Sequence, residues 1–124
     1  MLSDAPVVPM LPVVDLERAK KFYGETLGLK PDEVPFPGYV LYRCGDGTRL
    51  GLYQRAPTKA DHTVACFQVE DLDDEMRRLR GKGVQFEEYD VPGLKTVNGV
   101  ATLGDARSAW FTDTEGNILS LTEY

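Results

Sequence analysis

The stretch Val13-Val14-Asp15-Leu16, with an amphipathic run from Glu17 to Leu27 behind it and Gly28 closing it, recurs later in the chain. The second copy is Val69-Glu70-Asp71-Leu72, 56 positions on, followed by a charged helical run to Leu79 and then by Gly81 and Gly83. In each copy a β-branched residue ends an extended run, an Asp follows two positions later, and a Leu follows the Asp. An Asp at the start of a helical period caps the unpaired N–H groups of the first turn, and its charge suits the positive end of the helix. The repeat therefore predicts two halves of one design, residues 1–57 and 58–124.

Working outward from the first copy, Val7 to Val13 is an apolar run interrupted by Pro9 and Pro12, which predicts a bent or edge strand. Leu16, Ala19, Phe22, Tyr23 and Leu27 form a helical stripe to be buried, leaving Lys20, Lys21 and Glu25 in water. Lys30–Phe36, Tyr39–Cys44 and Arg49–Gln54 read as three strands, split by Pro37-Gly38 and by the hairpin turn Gly45-Asp46-Gly47. In the second half, Thr63–Val69 is a strand and Leu72, Met76 and Leu79 share one face of a helix. Val84–Tyr89 is a further strand. A long excursion, Val91–Asp105, precedes a hairpin of Ala106–Thr112 and Ile118–Thr122 around Asp113-Thr114-Glu115-Gly116. The predicted fold class is α+β, two βαβββ modules forming curved mixed sheets around a cleft, with a ligand on the concave faces.

A chain of 124 residues, 42% hydrophobic and 27% charged, has the composition of one globular domain. No apolar run approaches a membrane span and the N-terminus carries no signal pattern, so a cytoplasmic protein without membrane partners is expected. A net charge of −6 opposes binding to nucleic acid and admits a neutral or cationic small molecule. Cys44 and Cys66 lie in apolar runs with no C-x-x-C spacing and read as reduced core residues rather than a disulfide.

Two βαβββ modules, the V-x-D-L start of each helix, Phe22-Tyr23…Leu27-Gly28-Leu29 and Trp110-Phe111-Thr112-Asp113…Gly116-Asn117 together resemble the vicinal oxygen chelate superfamily. That group includes glyoxalase I, extradiol dioxygenases, fosfomycin-resistance enzymes and bleomycin-resistance proteins. The resemblance spans nearly the whole chain. For the family's enzymes it implies a divalent metal held by His or Glu at matching strand positions of the two modules. Those positions fall here on Val8 and Val64, seven residues before each capping Asp, and near Gly51 and Ser120 in the last strands. None of the four carries a good metal donor, whereas a catalytic site needs about three from His, Asp, Glu or Cys. His62, Gln54, Glu70 and Glu123 are the nearest substitutes. No metal and no cofactor are expected. The resemblance then points to the bleomycin-resistance type, a metal-free, sequestering small-molecule binding protein that works as a homodimer. The alternative is a glyoxalase- or dioxygenase-type lyase or isomerase with a non-standard metal site or a carboxylate/His base.

Aromatic side chains on a concave sheet hold a planar ligand without charge. Trp110 and Tyr53 are the expected pocket walls, with Tyr42 and Phe67 beside them, although core packing under the helices accounts for aromatics on strands equally well. His62, the sole histidine, is a candidate proton donor or acceptor, or else a loop histidine beside Asp61. The excursion reads as a lid with Leu94 as its apolar contact and Lys95 as its polar one, or as a dimer contact. Arg43, Arg49 and Arg107 either orient an anionic ligand or are paired surface residues. Glu87-Glu88-Tyr89-Asp90 reads as a solvated strand edge before it reads as a general base.

Overall fold

Both Asp residues of the repeat cap helices. In the structure, a computed structural model that describes residues 1–32 and 37–124, Asp15 accepts the Arg18 N–H at 3.1 Å and Asp71 accepts the Asp74 N–H at 3.0 Å. The chain divides into two compact units, Met1–Lys59 and Ala60–Tyr124.

The first unit holds strand β1 (Met10–Val13), helix α1 (Leu16–Lys21), β2 (Lys30–Pro31), β3 (Tyr39–Arg43) and β4 (Arg49–Gln54). Its sheet order is β1-β4-β3-β2, with β1 parallel to β4 and the other pairs antiparallel. Ala19 and Tyr23 from the helical segment are buried with Leu11, Val13, Val40, Leu50 and Leu52. The Tyr42 ring stacks on Tyr23 at 6.2 Å and its hydroxyl donates to the Lys20 carbonyl at 3.4 Å, which ties sheet to helix. The helix does not stay α to Leu27. Phe22–Thr26 form a π turn, in which the Leu27 N–H reaches the Phe22 carbonyl at 2.9 Å. Gly24 sits in that turn, and its weak helix propensity lowers the cost of leaving the α register. Gly28, at φ +77°, then reverses the chain so that the Leu29 N–H meets the Tyr23 carbonyl at 3.0 Å. Of the strand expected over Lys30–Phe36, Lys30 and Pro31 pair with β3, while residues 33–36 lie outside the described residues. The expected strand over Val7–Val13 begins only at Met10.

The second unit holds β5 (Thr63–Gln68), α2 (Leu72–Gly81), β6 (Asp90–Val91), β7 (Leu94–Lys95), β8 (Ala101–Leu103), β9 (Ala106–Thr112) and β10 (Ile118–Glu123). Its main sheet runs β5-β10-β9-β8, with β5 parallel to β10, and β6 and β7 form a separate hairpin. Leu72, Met76 and Leu79 are buried as the helical period predicts. The hairpin turn is organised by the buried Asp113, whose carboxylate accepts the N–H groups of Glu115 (2.7 Å) and Asn117 (2.8 Å) and the Asn117 side-chain amide (2.8 Å).

Val84–Tyr89 does not form the expected strand. Only Phe86 bridges to Phe111, with the Glu87 N–H on the Trp110 carbonyl at 2.8 Å. The Ala106–Ser108 end of that β9 edge is taken by β8, paired from Ala101↔Ser108 to Leu103↔Ala106. A strand edge offers each backbone group once, so β8 shortens what the 84–89 segment can join. The excursion is accordingly folded rather than loose. Glu88 fastens it: one carboxylate oxygen accepts the Thr96 hydroxyl at 2.6 Å and the Gly99 N–H at 2.7 Å. The Thr96 hydroxyl, then the Gly99 amide, and lastly the charge of Arg80 hold the Glu88 carboxyl below its ordinary pKa. Both cysteines are free, but only Cys44 is even half-buried. Cys66 is exposed, because the β5 register turns it away from the helix, and the core placement expected for it is corrected. Among the described residues no helix is long and apolar enough to cross a membrane.

Candidate functional site

Strand alternation divides each sheet into a side packed on its helix and a side facing away from it. In the first unit Tyr42, Leu50 and Leu52 share the helix side. The far side carries Met10, Tyr39, Gly51 and Tyr53, through the pairs Met10↔Gly51 and Tyr39↔Tyr53. Gly51 is bare for a reason. A Cβ on it would lie 2.5 Å from the Met10 sulfur and 3.3 Å from the Tyr39 hydroxyl, and that hydroxyl donates to the same sulfur at 3.7 Å. This far side joins thioether and aromatic surface to the arginine pair Arg43↔Arg49 at one end of the same strands.

The second unit differs. Ala109, Phe111, Leu119 and Leu121 are buried on the helix side. Ser108, Trp110, Ser120 and Thr122 alternate with them on the far side, and Cys66 stands opposite Ser120 across the parallel pair. Thr122 Oγ1 lies 2.8 Å from Ser108 Oγ and 3.2 Å from Cys66 Sγ, a hydroxyl–hydroxyl–thiol chain. The Trp110 indole N–H donates to the Thr63 hydroxyl at 3.1 Å, and the Tyr89 ring meets the indole edge-on at 5.7 Å. Those contacts fix an aromatic plane beside a polar strip. Burial, then the Glu87 charge, raises the Tyr89 phenol above its ordinary range and keeps it neutral.

The residues expected to line a site thus fall in different places. Trp110 is on the far side of the second sheet and Tyr53 on the far side of the first. Tyr42 is buried on the helix side, and Phe67 shares the helix side of its own sheet through its pairing with Leu121. His62 is exposed, with Nδ1 2.8 Å from the Asp61 carboxylate; the imidazole bond lowers the Asp61 pKa. Leu94 is half-buried in the β6–β7 hairpin. Arg49 pairs with Asp32 at 3.4 Å, and Arg107 with Asp73 at 2.9 Å and Glu123 at 3.6 Å. The Asp73 bond pushes the Arg107 pKa further up, and the same bond pulls Asp73 down.

A divalent metal is tested by the donor set. Val8 and Val64 offer hydrocarbon, Gly51 offers none and faces a thioether, and Ser120 offers a neutral hydroxyl. Among the described residues no group of three or more His, Cys, Asp or Glu side chains converges. A catalytic zinc-type site needs about three such donors, so these positions do not fit one. Sequence reasoning missed Met10 and the Ser108–Thr122–Cys66 chain. The signal for the chain was present in the two-residue spacing of hydroxyls, Ser120 and Thr122, along β10.

Residues 6–121 match the family model described as Glyoxalase/Bleomycin resistance protein/Dioxygenase superfamily. No curated protein matches the chain. Among solved structures, TnmS3, an antibiotic binding protein from Streptomyces sp. CB03234, is 26% identical with a TM-score of 0.75, covering 99% of this chain and 98% of its own. A glyoxalase/bleomycin resistance protein from the same strain is 26% identical with a TM-score of 0.71, covering 96% of this chain and 100% of its own. The fosfomycin resistance protein FosX from Listeria monocytogenes is 16% identical with a TM-score of 0.71, covering 98% of this chain and 91% of its own, a likeness of fold alone.

Proposed function

The chain belongs to the glyoxalase/bleomycin resistance protein/dioxygenase superfamily, and from there we propose that it is a sequestering, resistance-type protein that binds a small molecule without a catalytic metal. The observation that carries this reading is the chemistry at the strand positions where the family's enzymes hold their ion. Gly51 is overlain by the Met10 thioether, and Ser120 sits between Trp110 and Cys66 in a neutral strip. Neither arrangement supplies charge to a cation. Both suit an amphipathic or aromatic compound, which gains from stacking and area burial and is oriented by a few hydroxyls. The likeness to an antibiotic binding protein supports binding of a small molecule. A homodimer in the cytoplasm is the form in which we place it.

Trp110 is the sole tryptophan in the chain, so its emission reports directly on the proposed face. Titrating a panel of aromatic antibiotics should give saturable quenching or a spectral shift for at least one member. Calorimetry with that compound should then show Trp110→Ala binding about tenfold more weakly. Unchanged affinity in Trp110→Ala would remove that residue from the pocket. Light scattering on the eluting protein should give the mass of two chains; a single-chain mass would end the dimer reading.

A further inference from the structure

On the other side of the second sheet, α2 and the folded excursion enclose a groove of about 480 Å³. That is within the range of small-molecule sites. Its apolar surface comes from Met76, Val97 and Val100, and Arg77, Arg80 and Arg107 stand around it. An adjoining cavity of about 400 Å³ shares Val97, Val100 and Arg107 and adds Lys95 and Thr102. Four cations and a single carboxylate, Asp73, line the two together. Asp74, Glu123 and Glu88 face the same cations from just outside the groove, so in a chain of net charge −6 the cluster is balanced rather than acidic.

The cations are not equivalent. Arg107 is neutralised by Asp73 and Glu123, and Arg77 by Asp74. Among the described residues neither Arg80 nor Lys95 has a carboxylate within ion-pair distance, and the charge nearest Arg80 in effect is Glu88, whose carboxyl is already engaged by Thr96 and Gly99. The Arg80 guanidinium is nevertheless held: it donates to the Asn98 carbonyl at 3.1 Å and lies 5.1 Å above the centre of the Phe86 ring. Gly99 makes the fit possible. At φ +81° its bare Cα lets the excursion close on α2, since a Cβ there would come within 3.1–3.3 Å of the Phe86 Cβ, the Arg80 guanidinium and the Met76 methyl. Asn98 precedes it at φ +53°, and the Glu88 carboxylate fixes the Gly99 N–H. A guanidinium pre-oriented by a carbonyl and a ring keeps N–H groups free for a second acceptor and loses little freedom on meeting one.

We propose that this groove is a second binding site, distinct from the far sides of the sheets, for a small organic anion: a carboxylate on an apolar body. The carboxylate takes the unused N–H fork of Arg80, with Lys95 adding attraction, while the body lies on Met76, Val97 and Val100. The site stands independently of the ligand proposed for the Trp110 face.

The test is an amide NMR titration with 1-naphthoate and, separately, with the neutral 1-naphthylmethanol. Naphthoate should shift the amides of residues 76–80 and 97–102 saturably, and naphthylmethanol should bind about tenfold more weakly. Arg80→Gln should weaken naphthoate about fivefold or more, and Arg80→Lys should fall between, because it keeps charge but loses the planar fork. The spectra of both variants also report whether the fold is kept. Equal affinity in Arg80→Gln, equal affinity for the alcohol, or no saturable shift at these residues would overturn the site. Shifts confined to the amides around Trp110 would do so too, while leaving the far-side reading intact.

Discussion

The two units share a topology and a capping device, yet their far sides are chemically unlike. The first presents Met10 and Tyr39 around a bare Gly51; the second presents Ser108, Ser120, Thr122 and Cys66 beside Trp110. Helix-side residues answer to packing, so both units fill them with large apolar groups. Far-side residues answer to whatever meets them. The comparison teaches that a repeated design constrains the caps and cores strongly and the far-side chemistry hardly at all.

That contrast is broken most directly at Gly51 and Ser120. Gly51→Ala should change stability by no more than about 1 kcal/mol in either direction, because the Met10 sulfur, 2.5 Å from a Cβ there, ends a flexible exposed side chain that can swing aside, and Ala suits a strand better than Gly. Ser120→Ala should cost no more than about 1 kcal/mol. Urea denaturation measures both, and a loss of several kcal/mol at either position would show that its far side is packed like a core.

The caps test the similarity instead. Asp15→Ala and Asp71→Ala should each lose about 1 kcal/mol in the same measurement, since each removes one acceptor from the first turn of its helix. A loss in one copy alone would show that the repeat is matched in sequence but not in energetics.

The smallest effect concerns the excursion, which the first unit lacks. The Glu88 pKa is depressed in the folded chain, so its bonds contribute fully above the ordinary glutamate value of about 4.3 and fade as pH falls through the lower folded value. The Gly99 amide shift should therefore titrate below about pH 4.3, and Glu88→Gln should abolish that titration. A midpoint at or above the ordinary value would show that Glu88 does not hold the segment.

Much of this was legible from residues alone. The Asp caps, the buried stripes of both helices and the Gly45-Asp46-Gly47 hairpin follow from local rules, because each depends on neighbours within a turn or two. What failed to show depended on competition or on distant partners. Val84–Tyr89 has strand composition, but it meets β9 at a single bridge, and β8 takes the edge from Ser108 to Ala106. The π turn after Lys21 replaces an α turn whose apolar spacing looked regular. Tyr42 and Tyr53 are both tyrosines on neighbouring strands, and only the pairing register sends one to the helix side and the other away. The Arg80 groove joins residues 18 positions apart through a glycine and an asparagine at positive φ, a juxtaposition that no periodicity encodes.

The central claim is that the strand positions matched to the family's metal ligands serve a neutral pocket. Elemental analysis of tag-free protein, purified without chelator, tests it most directly. The expected result is less than about a tenth of an equivalent of any divalent ion, with nothing retained after incubation with zinc or manganese and gel filtration. About one equivalent retained per chain or per dimer would contradict the claim and make a metal-dependent enzyme the leading reading.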